Sequence, residues 1–424
     1  MMNQSSSAGF ESLGISPKLL GILKQCNYLT PTPIQHQAIS PALEGKDVVG
    51  IAQTGTGKTL AFGIPMIERL AKFKGKGLII LPTRELAIQV EETLQKIGHQ
   101  VGLKTVVLIG GAPMGRQKEQ LRRNPHVIIA TPGRLVDHLQ QRTVSLHDVK
   151  IAVLDEADRM LDIGFAPQIK QILALVPKDR QTMLFSATMP NAIASLAATY
   201  MKLPIRVEVA PAGTAASLVE HEVFIVSREM KTQLLDKLLS ETAGSVLVFS
   251  RTRHGAKKIA AMVRHMGHEA VEMHSDRSLA QRRMALDGFK SGRFRILVAT
   301  DIAARGIDVS GIELVVNYDL PASSEDYVHR IGRTGRAGKS GKAVSFAAPE
   351  ERGDIKQIER LIRKTLAVLP LPVLPPRRTP PPKPSFQPGG FKPHGGGFRP
   401  HGGGGFARKP QSGFRGGYQG HRPR

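Results

Sequence analysis

Short apolar runs, almost uninterrupted, punctuate this chain at regular intervals and constrain its fold more than any other feature. In the first two hundred residues they fall at 47–51, 77–81, 105–109, 127–130, 151–154 and 182–185. A half-exposed strand alternates apolar and polar residues, whereas a continuous run of this length marks a strand buried on both faces. Helical patterns fill the intervals, and strand–helix alternation predicts a parallel sheet covered on both sides. The rhythm starts again at 222–226, 245–249, 270–273, 294–298, 314–317 and 342–346. Between the two sets lies 210–217, small and polar with Pro211 and Gly213, the composition of a linker. The expectation is an α/β chain of two parallel-sheet lobes, 1–209 and 218–368, joined by a short hinge.

From residue 369 the composition shifts to proline and then, past about Pro384, to Gly, Phe, Arg, Lys and His. The last acids are Asp354 and Glu359, so the stretch 369–424 is purely cationic. It is expected to be a disordered tail, because it has too little apolar surface to offset chain entropy. Phe391, Phe398, Phe406, Phe414 and Tyr418 stand singly among the basic residues. Rings that stack on bases beside cations that hold phosphates grip single strands without sequence preference. The alternative is an inert solvated tail; His394 and His401 on such a chain make a poor metal site. The whole chain carries 59 Lys+Arg against 35 Asp+Glu, a net +24. That excess points to a polyanionic partner, nucleic acid or an acidic membrane surface. The single cysteine, Cys26, excludes an intrachain disulfide and a Cys₄ zinc site, and fits a reducing cytosol. No secretory signal opens the chain, and no apolar stretch approaches the roughly 18 residues of a membrane span. A soluble, cytoplasmic protein with no membrane partner is expected.

The loop Ala52, Gln53, Thr54, Gly55, Thr56, Gly57, Lys58, Thr59 follows a buried run and opens a helical pattern. That is the setting of a phosphate-binding loop. Glycines let backbone N–H groups approach phosphate oxygens, Lys58 reaches the β and γ phosphates, and the Thr59 hydroxyl holds Mg²⁺. Ala52 stands where the general motif has its first glycine. A hundred residues on, the run 151–154 ends in Asp155, Glu156, Ala157 and Asp158. Asp155 is placed to ligate Mg²⁺ through water, and Glu156 to orient or deprotonate the attacking water. Alone, such an acidic strand end is ordinary; paired with the loop it is the metal half of an ATPase site. In the second lobe Arg330, Arg333 and Arg336 follow His329 with Gly332 and Gly335 between them. Read as a solvated helix they are unremarkable. The sharper reading makes Arg333 and Arg336 an arginine finger delivered across a cleft, worth roughly 10³–10⁵ in rate in other phosphoryl-transfer enzymes.

With Asp155, Glu156, Ala157 and Asp158 in place, the chain resembles the DEAD-box ATP-dependent RNA helicases from Phe10 to about Leu366, and among them most the bacterial RhlE-like branch. The resemblance implies two tandem RecA-like domains, hydrolysis of ATP with Mg²⁺, and local separation of short RNA duplexes or remodelling of RNA–protein complexes. It implies an adenine-recognition element within 8–36, where Phe10 stacks on the base and Gln35 pairs with its edge. An early Phe is otherwise a hydrophobic anchor. Asp308 would contact the ribose, and Asp158, Ser186, Thr188 and His329 would couple the acidic loop to lobe closure.

The same resemblance implies an RNA path over Arg84, Gly110, Gly111, Thr131, Gly133 and Arg134, continued by Arg251, Arg282, Thr300, Arg305 and Gly306. Helix capping is the alternative for Thr131 and Thr300. Arginines, hydroxyls and exposed glycine backbone suit phosphate and ribose rather than base edges, so recognition is expected to be sequence-blind. Three motifs depart from the family pattern: Asn27-Tyr28 for Gly-Phe, Ser275 for Gly, and Leu279 for the Gln that precedes Arg282 by three, which bears on one RNA contact. Single-stranded and short duplex RNA are the implied partners of a monomer, with RNA-decay or ribosome-assembly proteins besides. Two other readings fit the lobes: an ATP-timed RNA clamp or annealing chaperone, and a processive DNA helicase, against which stands the lack of a cysteine cluster or further folded domain.

Overall fold

A computed structural model of the chain describes residues 9–53, 55–209, 219–304, 309, 311–335 and 341–376. The linker 210–217 and the tail from 377 onward lie outside the described residues. The first lobe holds β1 (Val48–Ile51), β2 (Lys76–Ile80), β3 (Thr105–Leu108), β4 (Val127–Ala130), β5 (Val149–Leu154), β6 (Gln181–Ser186) and β7 (Ile205–Glu208). They form one parallel sheet in the order β3-β4-β2-β5-β6-β1-β7. The second lobe holds β8 (Val219–Ile225), β9 (Val246–Phe249), β10 (Ala270–Met273), β11 (Ile296–Ala299), β12 (Leu314–Asn317), β13 (Gly341–Ala347) and β14 (Ala367–Leu369). Their order, β10-β11-β9-β12-β13-β8-β14, is the first sheet's order repeated strand for strand.

Both faces of each sheet are buried, as continuous apolarity requires. In β2, Ile79 packs with Phe62, Met66 and Phe185 on one face, while Leu78 and Ile80 pack with Leu135, Ile169 and Leu184 on the other. In β9, Leu247 and Phe249 point one way, and Val246 and Val248 the other. Three runs coincide with their strands (127–130, 270–273, 314–317). The run 294–298 does not: β11 starts at Ile296, because Phe294 is turned against Gly288 and the Arg295 guanidinium donates to the Thr242 and Leu239 carbonyls. The apolar pattern also gives no sign of β7 or β14, short edge strands with mostly exposed side chains.

The packed chain runs past the compositional break at 369. Leu369, Leu371 and Leu374 lie against the second-lobe core beside Met230, Met262 and Tyr318, and the Gln233 side-chain amide donates to the Pro375 carbonyl at 2.7 Å. Proline supplies extended backbone here, and the leucines between the prolines supply the apolar contact. No helix among the described residues is long and apolar enough to cross a membrane.

Candidate active site

All strands in each sheet are parallel, so the loops after their C-terminal ends gather on one rim, where ligands of open α/β sheets bind. The 52–57 loop follows β1, Arg84 follows β2, Gly110 and Gly111 follow β3, Thr131 follows β4, Asp155–Asp158 follow β5, and Ser186 ends β6. A cavity of about 320 Å³ opens at this rim, lined by Gly55, Gly57, Lys58, Thr59, Asp155 and Glu156 from the first lobe and by Arg333 from the second. These residues span 278 positions of the chain, from Gly55 to Arg333, and the fold faces them onto one volume.

The loop's shape depends on glycine where φ is positive. Gly55 and Gly57 have φ of 83° and 90°, a region that costs a side-chain-bearing residue energy. Gly57 is also tightly faced: a Cβ there would lie 2.3 Å from Gln35 Nε2. Lys58, buried at the start of the helix Lys58–Leu70, donates to the Ala52 carbonyl at 3.0 Å and lies 3.8 Å from Asp155 Oδ1. Burial pushes the Asp155 carboxyl up to about 6, with Glu156 adding to the rise and Lys58 opposing it. Glu156 sits at φ 52°, ψ 49°, a left-handed turn that starts the helix Ala157–Asp162 and sets Asp155 and Glu156 on the same cavity.

Asp155 and Thr59 both line the cavity, and the buried carboxylate has Lys58 as its neighbouring cation at 3.8 Å. One carboxylate and one hydroxyl, completed by phosphate oxygens and water, is a donor set suited to Mg²⁺. Among the described residues no cluster of three or more His, Cys, Asp or Glu side chains is placed to hold a metal by itself.

Asp158 is not among the residues that line the cavity and instead ties two loops together. Its Oδ2 accepts the N–H groups of Ala187 (3.1 Å) and Thr188 (3.0 Å) and the Thr188 hydroxyl (3.1 Å), and its own N–H donates to Ser186 Oγ (3.3 Å). His329 reaches the same region from the second lobe, lining a small pocket with Gln53 and Thr188. Arg330, by contrast, is structural: it donates to Asp301, Asn317 and the Asp319 carbonyl, with Phe249 beneath its guanidinium.

Phe10 is 3% exposed and belongs to the first-lobe core rather than to the cavity wall. The aromatic ring that lines the cavity is Tyr28, whose face also carries the Lys96 ammonium at 4.9 Å. The aromatic position after Asn27 was the available signal for it. Gln35 also lines the cavity.

Arg84 lies against Gly110 and Gly111, so close that a Cβ on Gly111 would come within 2.5 Å of its Nη1. Arg134 donates to the Ala112 carbonyl at 3.2 Å, and nothing stands within 4 Å of the space a Cβ on Gly133 would fill. Thr131 occupies the N-cap of Pro132–Gln140 without a capping bond from its side chain, which removes the capping alternative for its hydroxyl. The Thr300 carbonyl accepts from Ala303 and Ala304. Arg251 donates to the Leu320 carbonyl and to Glu351. Arg282 is buried and ion-paired with Glu85 of the first lobe, so in this conformation its charge is spent between lobes. Thr54, Arg305, Gly306, Asp308 and Arg336 lie outside the described residues.

The DEAD/DEAH box helicase family model matches residues 32–196, and the helicase conserved C-terminal domain model matches 230–338. The chain is 43% identical over 367 residues to the ATP-dependent rRNA helicase RRP3 of Debaryomyces hansenii, covering 86% of this chain and 77% of that protein. It is 42% identical over 368 residues to the DEAD-box ATP-dependent RNA helicase CshA of Bacillus cereus, covering 86% and 70%. Among solved structures it is similar to S. cerevisiae Dbp5 bound to RNA and ADP BeF3, with a TM-score of 0.76, 30% identity, and coverage of 85% of this chain and 95% of that one.

Proposed function

Because this chain belongs to the DEAD-box family of ATP-dependent RNA helicases, we propose that it closes its two lobes on ATP and single-stranded RNA together. The observation that carries the mechanism is Arg333 of the second lobe lining one cavity with Lys58, Asp155 and Glu156 of the first. ATP fills that cavity with its phosphates on the 52–57 loop and the Lys58 ammonium, its base against Tyr28 and Gln35, and its ribose toward Asp308. Glu156 orients a water toward the γ-phosphorus and accepts its proton as the new P–O bond forms and the bond to ADP breaks. Arg333, with Arg336, supplies positive charge to the phosphoryl oxygens in the transition state. Mg²⁺, when bound, neutralises phosphate charge; Thr59 and, through water, Asp155 would hold it.

RNA lies across the rim of both lobes on Arg84, the Gly110–Gly111 backbone, Thr131, Gly133, Arg134, Arg251, Thr300, Arg305 and Gly306. These groups contact phosphate and ribose, so binding is largely independent of sequence. The helix Pro132–Gln140 bends the bound strand and strips it from its partner, and hydrolysis reopens the lobes. Asp158, Ser186, Thr188 and His329 transmit closure to the acidic loop. Separation is therefore local. Arg282 joins the RNA path if its pairing with Glu85 is exchanged. The cationic tail raises the local RNA concentration. We further place the protein in the RhlE-like bacterial branch as a cytoplasmic monomer that works with RNA-decay or ribosome-assembly proteins.

The test is steady-state ATP hydrolysis with and without single-stranded RNA. RNA is expected to raise a weak basal rate about tenfold or more, and Glu156→Gln to abolish the stimulated rate, a loss on the order of 10²–10⁴ for a general base. Stimulation by DNA alone would overturn the RNA reading.

A further inference from the structure

The helix Ser324–Ile331, which leads to Arg333, is fixed firmly within its own lobe. Tyr327 is fully buried with its hydroxyl 3.0 Å from His221 Nδ1 on β8. Arg330 is locked to Asp301, Asn317 and the Asp319 carbonyl. Arg333 Nε in turn donates to the His329 carbonyl, one turn back. Wherever this helix sits on the first lobe, the arginine sits accordingly.

A charged contact joins this helix directly to the first lobe. Arg159, 2% exposed, donates from Nη1 to Asp326 Oδ1 across the cleft at 2.5 Å and to Asp162 of its own helix at 3.1 Å. Asp326 lies in the first turn of the helix Ser324–Ile331, where its N–H donates to Ser323 Oγ. At the other end, the Arg159 N–H donates to Asp158 Oδ1 at 2.9 Å, and the second oxygen of that carboxylate receives Ala187 and Thr188. A continuous polar chain thus runs from the Ser186–Thr188 loop through Asp158 and Arg159 to Asp326 and the helix that leads to Arg333.

The surroundings make the pair sensitive to lobe position. A half-open pocket of about 10 Å³, room for roughly one water, is lined by Arg159, Asp301, Asp326, His329, Arg330 and Arg333. Arg159 Nη2 is buried with no hydrogen-bond partner among the described residues. A buried guanidinium is costly without its counter-charge, so opening the cleft removes the Asp326 carboxylate from Arg159 and leaves Asp162 of its own helix and water to satisfy it. The pair is formed and desolvated when the lobes are seated together.

We propose that the Arg159–Asp326 ion pair is the contact that registers the arginine-bearing helix on the ATP cavity. Arg159 is thereby a positioning residue for hydrolysis, acting through Asp326 on Arg333. This inference rests on the catalytic reading of Arg333 given above.

The experiment is a double-mutant cycle with Arg159→Met, Asp326→Asn and the two combined, measuring RNA-stimulated kcat, KM for ATP and nucleotide affinity without RNA. Misplacement of a catalytic group by about 1 Å costs on the order of 10²-fold. Each single variant is therefore expected to lose about 10- to 100-fold in kcat, with KM and RNA-free nucleotide affinity within about twofold of the parent. The double variant is expected to be no worse than the poorer single, and Arg159→Lys to recover most of the rate. Because the partners lie in different lobes, damage to each lobe separately would multiply in the double variant, and that outcome overturns the proposal. So do single variants that keep kcat within about threefold. Arg333→Ala separates the two readings: if it alone abolishes stimulation, only the Arg159 role falls; if it leaves the rate intact, the finger assignment falls with it.

Discussion

Gln35 Nε2 donates to the Gly57 carbonyl at 3.0 Å while its Oε1 accepts the Thr32 N–H at 2.9 Å. The amide expected to read the adenine edge is therefore also a brace on the phosphate loop, and base identity and loop geometry share one side chain. Gln35→Ala is expected to weaken ATP binding by about 10- to 100-fold, the equivalent of roughly 1–3 kcal/mol for hydrogen bonds lost to a buried group. It should also narrow the preference for ATP over GTP. Parallel KM measurements with both nucleotides check this; unchanged discrimination would remove Gln35 from base recognition.

Asp155 ties activity and stability to pH in opposite directions. Burial raises its folded-state value from 3.8 to about 6. Between those values the folded protein binds more protons than the unfolded chain, so this group's contribution to stability falls as pH rises through the window and stays low above it. Nucleotide-free Asp155→Asn is therefore expected to be more stable than the parent at pH 7.5, on the order of 1–3 kcal/mol, with the difference vanishing toward pH 4. Hydrolysis requires the carboxylate, and with Mg²⁺ bound the ionised form is favoured, so activity is expected to fall on acidification at a lower pH than the stability transition of the nucleotide-free protein. Thermal melts across pH decide it: a parent–variant difference that does not move with pH contradicts the buried-carboxylate account.

Arg84 and Gly111 form a unit in which the glycine makes room for the guanidinium. Gly111 has φ 79°, and an added Cβ would press on Arg84 Nη1. Gly111→Ala should weaken RNA binding about as much as Arg84→Ala, and the double variant little more. Removing one phosphate-binding arginine is expected to reduce affinity evenly across RNA sequences and to lower the salt slope by about one. Equilibrium titrations at several salt concentrations measure both.

The leucines of 369–374 belong to the second lobe's packing. Chains ended after residue 376 and after residue 368 should differ in thermal stability, the shorter melting several degrees lower. Partial burial of three leucines contributes roughly 2–4 kcal/mol, and each kcal/mol shifts a domain of this size by about 2–4 °C. Equal melting temperatures would show that the segment contributes nothing.

The sheets were legible in sequence because strands buried on both faces leave continuous apolar runs. The phosphate loop and the acids after β5 were legible because their chemistry is local: a few adjacent residues carry the whole pattern. What could not be read is what depends on docking. Arg282 looks like a surface cation until the fold brings Glu85 to it, and nothing near Arg159 signals Asp326. Phe10 and Tyr28 are both aromatic and both precede Gln35, and burial alone separates the core ring from the one lining the cavity. Edge strands β7 and β14 escaped for the opposite reason, being too exposed to carry an apolar run.

The repeated strand order extends to a repeated charged pair in each lobe. Lys58 opens the helix after β1 and lies 3.8 Å from Asp155 beyond β5; Lys231 opens the helix after β8 and lies 3.7 Å from Asp319 beyond β12. The second half thus keeps the skeleton of the first half's nucleotide site. Its loop after β8, Ser227, Arg228 and Glu229, has no glycine to let phosphate approach, and Lys231 is turned inward to the Tyr318 carbonyl. On the proposed mechanism one lobe holds the nucleotide while the other supplies arginine. Turnover belongs to the pair, and a half chain bearing only the intact loop would grip its ligand without completing the reaction.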